Sequence, residues 1–132
     1  MTADGLNIGI DKSVDHSYDE TVARTRAALK EEGFGVLTEI DVQSTLKEKL
    51  GVEMRRYVIL GACNPPLAHR ALESNPDVGL LLPCNVIVYE SDEGCRVAAV
   101  NPDMMVQLVD NEAMQQVAQE AKEKLARAIE AI

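Results

Sequence analysis

The chain has 132 residues, of which 13 are basic and 22 are acidic, and its formal net charge is −9. A chain of this length normally folds as one domain, so we expect a single domain over residues 1–132. The acidic charge repels phosphate groups and argues against nucleic-acid partners and anionic membrane surfaces. No apolar run reaches the roughly 18–20 residues that a membrane-spanning helix needs.

The cysteine count and the start of the sequence favour a cytoplasmic protein. Residues 1–5 contain no basic side chain and no long apolar segment, so we expect no secretory signal. Three cysteines are an odd number, whereas secreted disulfide scaffolds usually contain an even set. Reduced thiols in the cytoplasm are the simplest interpretation.

The first part of the chain has the pattern strand, helix, strand, short helix. Apolar residues at period two predict a strand over residues 6–14. Ser17 begins a capping-box pattern that starts a helix, and Gly33 is a natural left-handed stop for it. A second strand is predicted over residues 36–42, followed by a short amphipathic helix that ends before Gly51.

Two continuously apolar runs follow, at residues 57–62 and 79–82. We interpret the first as a strand covered on both faces, and the second is apolar on both sides as well. Between them, Asn64 is a good cap for a helix with Pro65 at its first position, and this helix must end before Pro76.

The last part of the chain predicts a hairpin and two helices. Residues 86–89 and 96–100 flank a turn-forming segment and predict paired strands. Residues 104–109 predict a short helical segment, and Asn111 is a cap for the last helix. That helix carries an apolar stripe made of Met114, Val117, Ala118, Ala121, Leu125, Ala128, Ile129 and Ile132. Its polar side suggests two ion pairs at i,i+4 spacing, Glu120 with Lys124 and Glu123 with Arg127.

This order predicts an α+β fold, because strands outnumber crossover helices. We expect a mostly antiparallel sheet of about five strands with helices packed on one face. The few helices would leave the other side of the doubly apolar strands poorly covered. We therefore expect a homodimer in which a second copy covers that side, the alternative being that short helices and loops suffice.

Cys63 and Cys84 are the one group of residues in the sequence that suggests a site of chemical function. Each is followed by asparagine, and they lie at the end and at the start of apolar segments, so both thiols should reach one end of the sheet. They could line a ligand pocket, act as a redox pair or nucleophile, or bind metal; the plain alternative is two buried thiols that act as small hydrophobic side chains. Without a CxxC spacing the zinc signal is weak.

Several nearby residues are weaker candidates. His69 lies on a flank of its helix, where it could reach a cleft or a partner, although an ordinary surface histidine fits as well. Met104 and Met105 could join the two thiols and His69 in a soft copper(I) site, or simply fill the core. Pro65 and Pro66 lack amide protons, which argues against a phosphate cradle at the start of that helix.

The segments Leu60–His69 and Gly79–Val86 resemble the bacterial and archaeal family called domain of unknown function 302. The resemblance covers nearly the whole chain, including residues 39–42 and Asn101-Pro102. It implies a fold like half of the TATA-binding protein, with the order strand, helix, four strands, helix, and it implies homodimers. It implies no activity, because none is established for the family. The related DNA-binding fold does not transfer its function, and the −9 charge argues against it here.

The sequence thus supports three hypotheses and names no reaction, ligand or cofactor. The first is a small homodimeric binding or accessory domain with a pocket for a small molecule. Its candidate ligand-binding residues are Cys63, Asn64, His69, Cys84 and Asn85. The second is a thiol-dependent redox or sulfur-handling protein that uses Cys63 and Cys84, and the third is a soft-metal site that adds His69. The binding hypothesis predicts unreactive thiols. The redox hypothesis predicts a reactive thiolate, and the metal hypothesis predicts metal that co-purifies with the protein.

Overall fold

The protein, described by a computed structural model over residues 7–132, is an antiparallel sheet with helices packed against one face. The strands are β1 (Gly9–Val14), β2 (Gly35–Asp41), β3 (Tyr57–Cys63), β4 (Cys84–Ser91) and β5 (Gly94–Val100). They lie in the order β1-β5-β4-β3-β2, and all neighbours are antiparallel. The predicted α+β fold with a five-stranded sheet is therefore confirmed. The start of the first predicted strand, Leu6, lies outside the described residues.

The predicted helices are confirmed, with small differences at their ends. They are α1 (Tyr18–Glu31), α2 (Val42–Leu50), α3 (Pro65–Ser74), α4 (Asp103–Leu108) and α5 (Glu112–Glu130). The order strand, helix, four strands, helix is kept, and α2, α3 and α4 are inserted between its members. Among residues 7–132, no helix combines the length and the apolar character needed to cross a membrane.

The apolar run at residues 79–82 lies outside the sheet. Most of this run belongs to a 3-10 helix, Pro76–Leu81. Proline fixes the backbone angle at the start of that helix, and Asn75 Oδ1 accepts a hydrogen bond from the Asp77 amide (2.9 Å). Only Val78 is buried, and Leu80 is 88% exposed. The apolar run is thus a tight turn on the surface and not a strand of the sheet.

Side-chain caps fix the ends of the main helices. The Ser17 hydroxyl accepts a hydrogen bond from the Glu20 amide (3.1 Å), as the capping pattern predicts. The other half of the box is absent, because the Glu20 carboxylate pairs with Arg24 (2.8 Å). Gly33 follows α1 with φ of +84°, the left-handed conformation that favours glycine.

The main hydrophobic core lies between the sheet and the helices α1 and α5. On the sheet, every second residue of the central strands faces this core. These residues are Val58, Leu60, Ala62, Val86, Val88, Cys95, Val97 and Ala99. The predicted stripe of α5 is buried along its whole length. A second, smaller cluster joins α3, α4 and α5 through Leu67, Ala71, Val78, Met105, Met114, Val117 and Ala121.

The ion pairs of α5 differ from the predicted ones. Glu120 pairs with Arg70 of α3 (2.7 Å), and Arg127 pairs with Glu32 just after α1 (3.0 Å). Neighbouring helices bring these opposite charges closer than the next turn of the same helix does. The pairs thus connect α5 to two other elements at its surface, where each contributes little to stability.

The second face of the sheet is partly exposed, and we call it the open face. It contains the cross-strand row Ile40, Ile59 and Ile87 and the stacked rings of Tyr57 and Tyr89, whose centroids lie 5.2 Å apart. Ile40 is 49% exposed, and none of these side chains belongs to the two core clusters. The helix α2 contacts β2 and β3 but has no buried residue.

Gly61 on β3 is required by the packing of the open face. A Cβ added there would lie 2.8 Å from Pro83 Cγ and would also collide with Thr38 Oγ1. We expect Gly61→Ala to lower the free energy of unfolding by about 1–3 kcal/mol, the usual cost of overpacking. The measurement is chemical denaturation followed by circular dichroism.

Gly35→Ala is the matched control, because nothing lies within 4 Å of a Cβ at that position in β2. Its stability should stay within about 0.5 kcal/mol of the wild type. Equal stabilities for the two variants would contradict the close approach of Thr38 and Pro83 to Gly61.

Candidate functional site

A cavity of about 330 Å³ lies at the end of the sheet where β3 ends and β4 begins. Its walls come from both core clusters and from the β2, α3 and α5 segments around them. Its lining includes Cys63, Asn64, Ala68, Cys84, Met105 and Ala118. Leu37 and Leu72 also line it and are 68% and 39% exposed, so they mark its side towards solvent. Its volume falls in the range of small-molecule pockets.

Small side chains create this space. Two facing helices contribute alanines at three-residue spacing, Ala68 and Ala71 on α3 and Ala118 and Ala121 on α5. Residues three apart on a helix lie on the same side of it, so each pair leaves a shallow step in the helix surface. Where the two steps meet, the usual interlocking of larger side chains is missing, and a cavity remains.

Cys63 and Cys84 lie at the same end of the sheet, as predicted. Ala62 is directly opposite Cys84, so Cys63 lies one residue further along β3. Side chains alternate along a strand, and Cys63 therefore lies on the opposite pleat from Cys84. This offset leaves both thiols free while both still line the cavity. Cys95 is buried in the main core, where it acts as a small apolar side chain.

Burial controls the chemistry of Cys84. Its thiol is removed from water, and this desolvation, with a smaller contribution from the nearby Cys63, raises its pKa from 9.0 to about 11. Cys84 is therefore a neutral thiol near pH 7. Cys63 is half-buried and more accessible.

The side chain of Asn64 holds this end of the sheet together. Its Oδ1 accepts a hydrogen bond from the Leu67 amide in the first turn of α3 (3.3 Å), which confirms the predicted cap. Its Nδ2 donates to the Glu32 carbonyl oxygen at the end of α1 (3.3 Å). One buried amide thus joins β3, α3 and α1 beside the cavity.

The two other candidate ligand-binding residues lie away from the cavity lining. The side chain of His69 is 75% exposed and lies 3.9 Å from Glu73, one turn along the same helix. Asn85 is exposed on the pleat of the open face, opposite Gly61. Helical and strand periodicity explain both positions, since each residue faces away from its lining neighbours.

The described part of the chain contains no group of three or more His, Cys, Asp or Glu side chains that could hold a metal ion. The set Cys63, Cys84 and His69 is therefore not assembled. Met105 lines the cavity with the two thiols, while Met104 does not.

Sequence reasoning missed the alanine pairs. The sequence identified Ala118 and Ala121 only as members of the apolar stripe of α5, and Ala68 and Ala71 were not among the candidate site residues. Small side chains at three-residue spacing in both helices could have indicated the cavity. This pattern can be interpreted only when it is known that α3 packs on α5.

Comparison with known proteins decides the family. The family described as domain of unknown function DUF302 matches residues 10–132. The chain belongs to the DUF302 family. A solved structure of an uncharacterized conserved DUF302 protein from Bacillus stearothermophilus is 32% identical, with a TM-score of 0.88 over 96% of this chain and 98% of that chain. No curated protein matches this DUF302 chain.

Cys84 should react slowly with alkylating agents in the native protein. A pKa raised from 9.0 to about 11 lowers the thiolate fraction near pH 7.5 by about 100-fold, since one pKa unit is a factor of ten. We expect the Cys84 labelling rate to be at least that much slower than for a free cysteine peptide, and to rise with pH up to about 11. Peptide mapping by mass spectrometry of Cys95→Ser protein treated with iodoacetamide measures this.

Cys63 in the same sample is the internal control and should be labelled before Cys84. Labelling of Cys84 at pH 7.5 as fast as a free cysteine peptide would contradict the neutral thiol. Denatured protein should label both positions equally.

Proposed function

We propose that this DUF302 protein is a small homodimeric domain that binds a small molecule in the cavity around Cys63, Asn64 and Cys84. The observation that carries the proposal is the meeting of Cys63, Asn64 and Cys84 at one cavity of about 330 Å³. The lining is almost entirely apolar, and the exposed Leu37 and Leu72 open it to water on one side. A ligand that fills the cavity would remove this apolar surface from water, which favours binding.

The proposed domain is cytoplasmic and has no nucleic-acid partner. An odd number of cysteines, all free, fits a reducing compartment. The net charge of −9 would repel a phosphate backbone at any approach. Residues 1–132 would act as one domain.

The homodimer is supported by the open face. Ile40, Ile59 and Ile87 make an apolar row across three neighbouring strands, and the two tyrosine rings extend it. An apolar surface of this kind on a soluble domain is typical of an interaction site. A two-fold pairing of two open faces would cover it in both copies.

The alternative function, thiol redox or sulfur handling through Cys63 and Cys84, needs at least one thiolate as nucleophile. The raised pKa of Cys84 argues against that residue in this role. Cys63 alone would have to carry the chemistry, with Cys84 as a resolving thiol. The alkylation experiment above distinguishes this alternative from ligand binding.

A filled cavity should exclude the ligand. Ala68 is half-buried and lines the cavity, so a phenylalanine there would occupy the space without entering the tightly packed core. We expect native mass spectrometry of wild-type protein, purified without denaturation from the cells that produce it, to show a retained small molecule. Ala68→Phe should lose it.

Ala27→Phe is the matched control, because Ala27 is exposed on α1 and lies outside the cavity lining. This variant should keep the retained molecule at the wild-type level. Wild-type protein without any retained mass, or equal retention in Ala68→Phe, would contradict the proposed binding site.

A charge on the open face should separate the two copies. We expect wild-type protein to have the mass of two chains in light scattering and Ile87→Glu to have the mass of one, because pairing would bury an uncompensated carboxylate. Leu80→Glu is the control, since Leu80 is 88% exposed in the 3-10 helix. A wild type that stays at the mass of one chain at micromolar concentration would refute the dimer.

A further inference from the structure

The lack of charged side chains around the cavity restricts the kind of ligand that it can bind. Among the described residues that line it, none is Lys, Arg, His, Asp or Glu. An ionised group placed among these side chains would lose its hydration without gaining an opposite charge. Such an uncompensated charge is strongly unfavourable in an apolar environment.

The helix that borders the cavity offers no amide donors to an anion. A helix N-terminus usually leaves its first N–H groups free, and these bind anions. In α3 the first two residues, Pro65 and Pro66, have no N–H group. The next two amides are already used, because Leu67 donates to Asn64 Oδ1 and Ala68 donates to the Asn64 carbonyl oxygen (2.9 Å).

The polar side chains of the lining are neutral and mostly occupied. Asn64 uses both ends of its amide in hydrogen bonds within the protein. Thr38 brings a hydroxyl to the cavity, which can donate one hydrogen bond to a neutral oxygen. The Cys84 thiol keeps its proton, because burial raises its pKa to about 11.

We infer that the ligand of this cavity is a neutral, largely apolar molecule with at most a hydroxyl or carbonyl group as its polar end. This inference rests on the proposed function and narrows it to a chemical class. Ionised metabolites such as phosphate esters, nucleotides and amino acids are excluded as buried ligands by the absence of countercharges and free amides. A medium-length alkyl chain or a fused aromatic ring system fits the size and the surface of the cavity.

Two fluorescent probes that differ by one charge test the inference. N-phenyl-1-naphthylamine is neutral, and 8-anilinonaphthalene-1-sulfonate is the same skeleton with a sulfonate. We expect the neutral probe to bind wild-type protein at least about tenfold more tightly, because the sulfonate would be desolvated without a partner. Ala68→Phe should weaken the neutral probe by at least about tenfold through loss of cavity space, and Ala27→Phe should leave it unchanged.

Competition with alkyl chains tests both signs of charge. Decan-1-ol should displace N-phenyl-1-naphthylamine from wild-type protein, while decanoate and decyltrimethylammonium at the same concentration should displace much less. The three competitors share one chain length, so a difference reports the head group alone.

The outcomes separate this inference from the proposed function. The inference of a neutral ligand is overturned if the sulfonate probe binds as tightly as the neutral probe, or if decanoate displaces the probe as well as decan-1-ol does. If Ala68→Phe still abolishes binding in that case, the cavity remains the binding site. Binding of both probes that is insensitive to Ala68→Phe overturns the cavity as the site and the proposed function with it. If the neutral probe does not bind wild-type protein, the inference of an apolar ligand is overturned. The proposed function is then decided separately, by whether native mass spectrometry shows a retained molecule.

Discussion

The buried amide of Asn64 is the interaction on which the candidate site depends. It caps α3 through the Leu67 amide and reaches the end of α1 through the Glu32 carbonyl oxygen. The bond to Leu67 is buried and the bond to Glu32 is partly buried. A buried polar group that loses its partner costs about 1–3 kcal/mol. Gly33 fits beside this amide, since a Cβ there would lie 3.0 Å from Asn64 Nδ2. The direction of α3, and with it one wall of the cavity, follows from this junction.

The cavity and the open face meet at the same part of the molecule. Thr38 lines the cavity and also lies against Gly61 on the open face, and Leu37 beside it is 68% exposed. The register of β2 shifts at this point, between Val36 and Thr38. A bulge of this kind redirects side chains at the edge of a sheet. A partner copy on the open face would therefore approach the cavity side that faces solvent.

The environment of the thiols decides what chemistry they support. An apolar surrounding without a nearby cation keeps the Cys84 thiol protonated, whereas reactive cysteines are found next to positive groups or free helix N-termini. Cys63 does precede α3, but Pro65 and Pro66 and the Asn64 cap remove the free donors that would stabilise a thiolate. Apolar surroundings without cations or free amide donors are unfavourable for a redox thiol, and they provide a neutral surface for ligand binding.

The sequence by itself determined the elements of this fold and the neighbourhood of the two cysteines. Periodicity, caps and stops are local properties, so the α5 stripe, the Asn64 and Asn111 caps and the Gly33 stop could be read directly. Only the tertiary structure decided the rest, because it depends on which surfaces meet. It turned the apolar run at residues 79–82 into a 3-10 helix, placed His69 and Asn85 outside the cavity, and paired Glu120 with Arg70 across two helices. The cavity arises from alanines on α3 and α5 that are 50 residues apart along the chain at Ala68 and Ala118, and no local pattern records that they face each other.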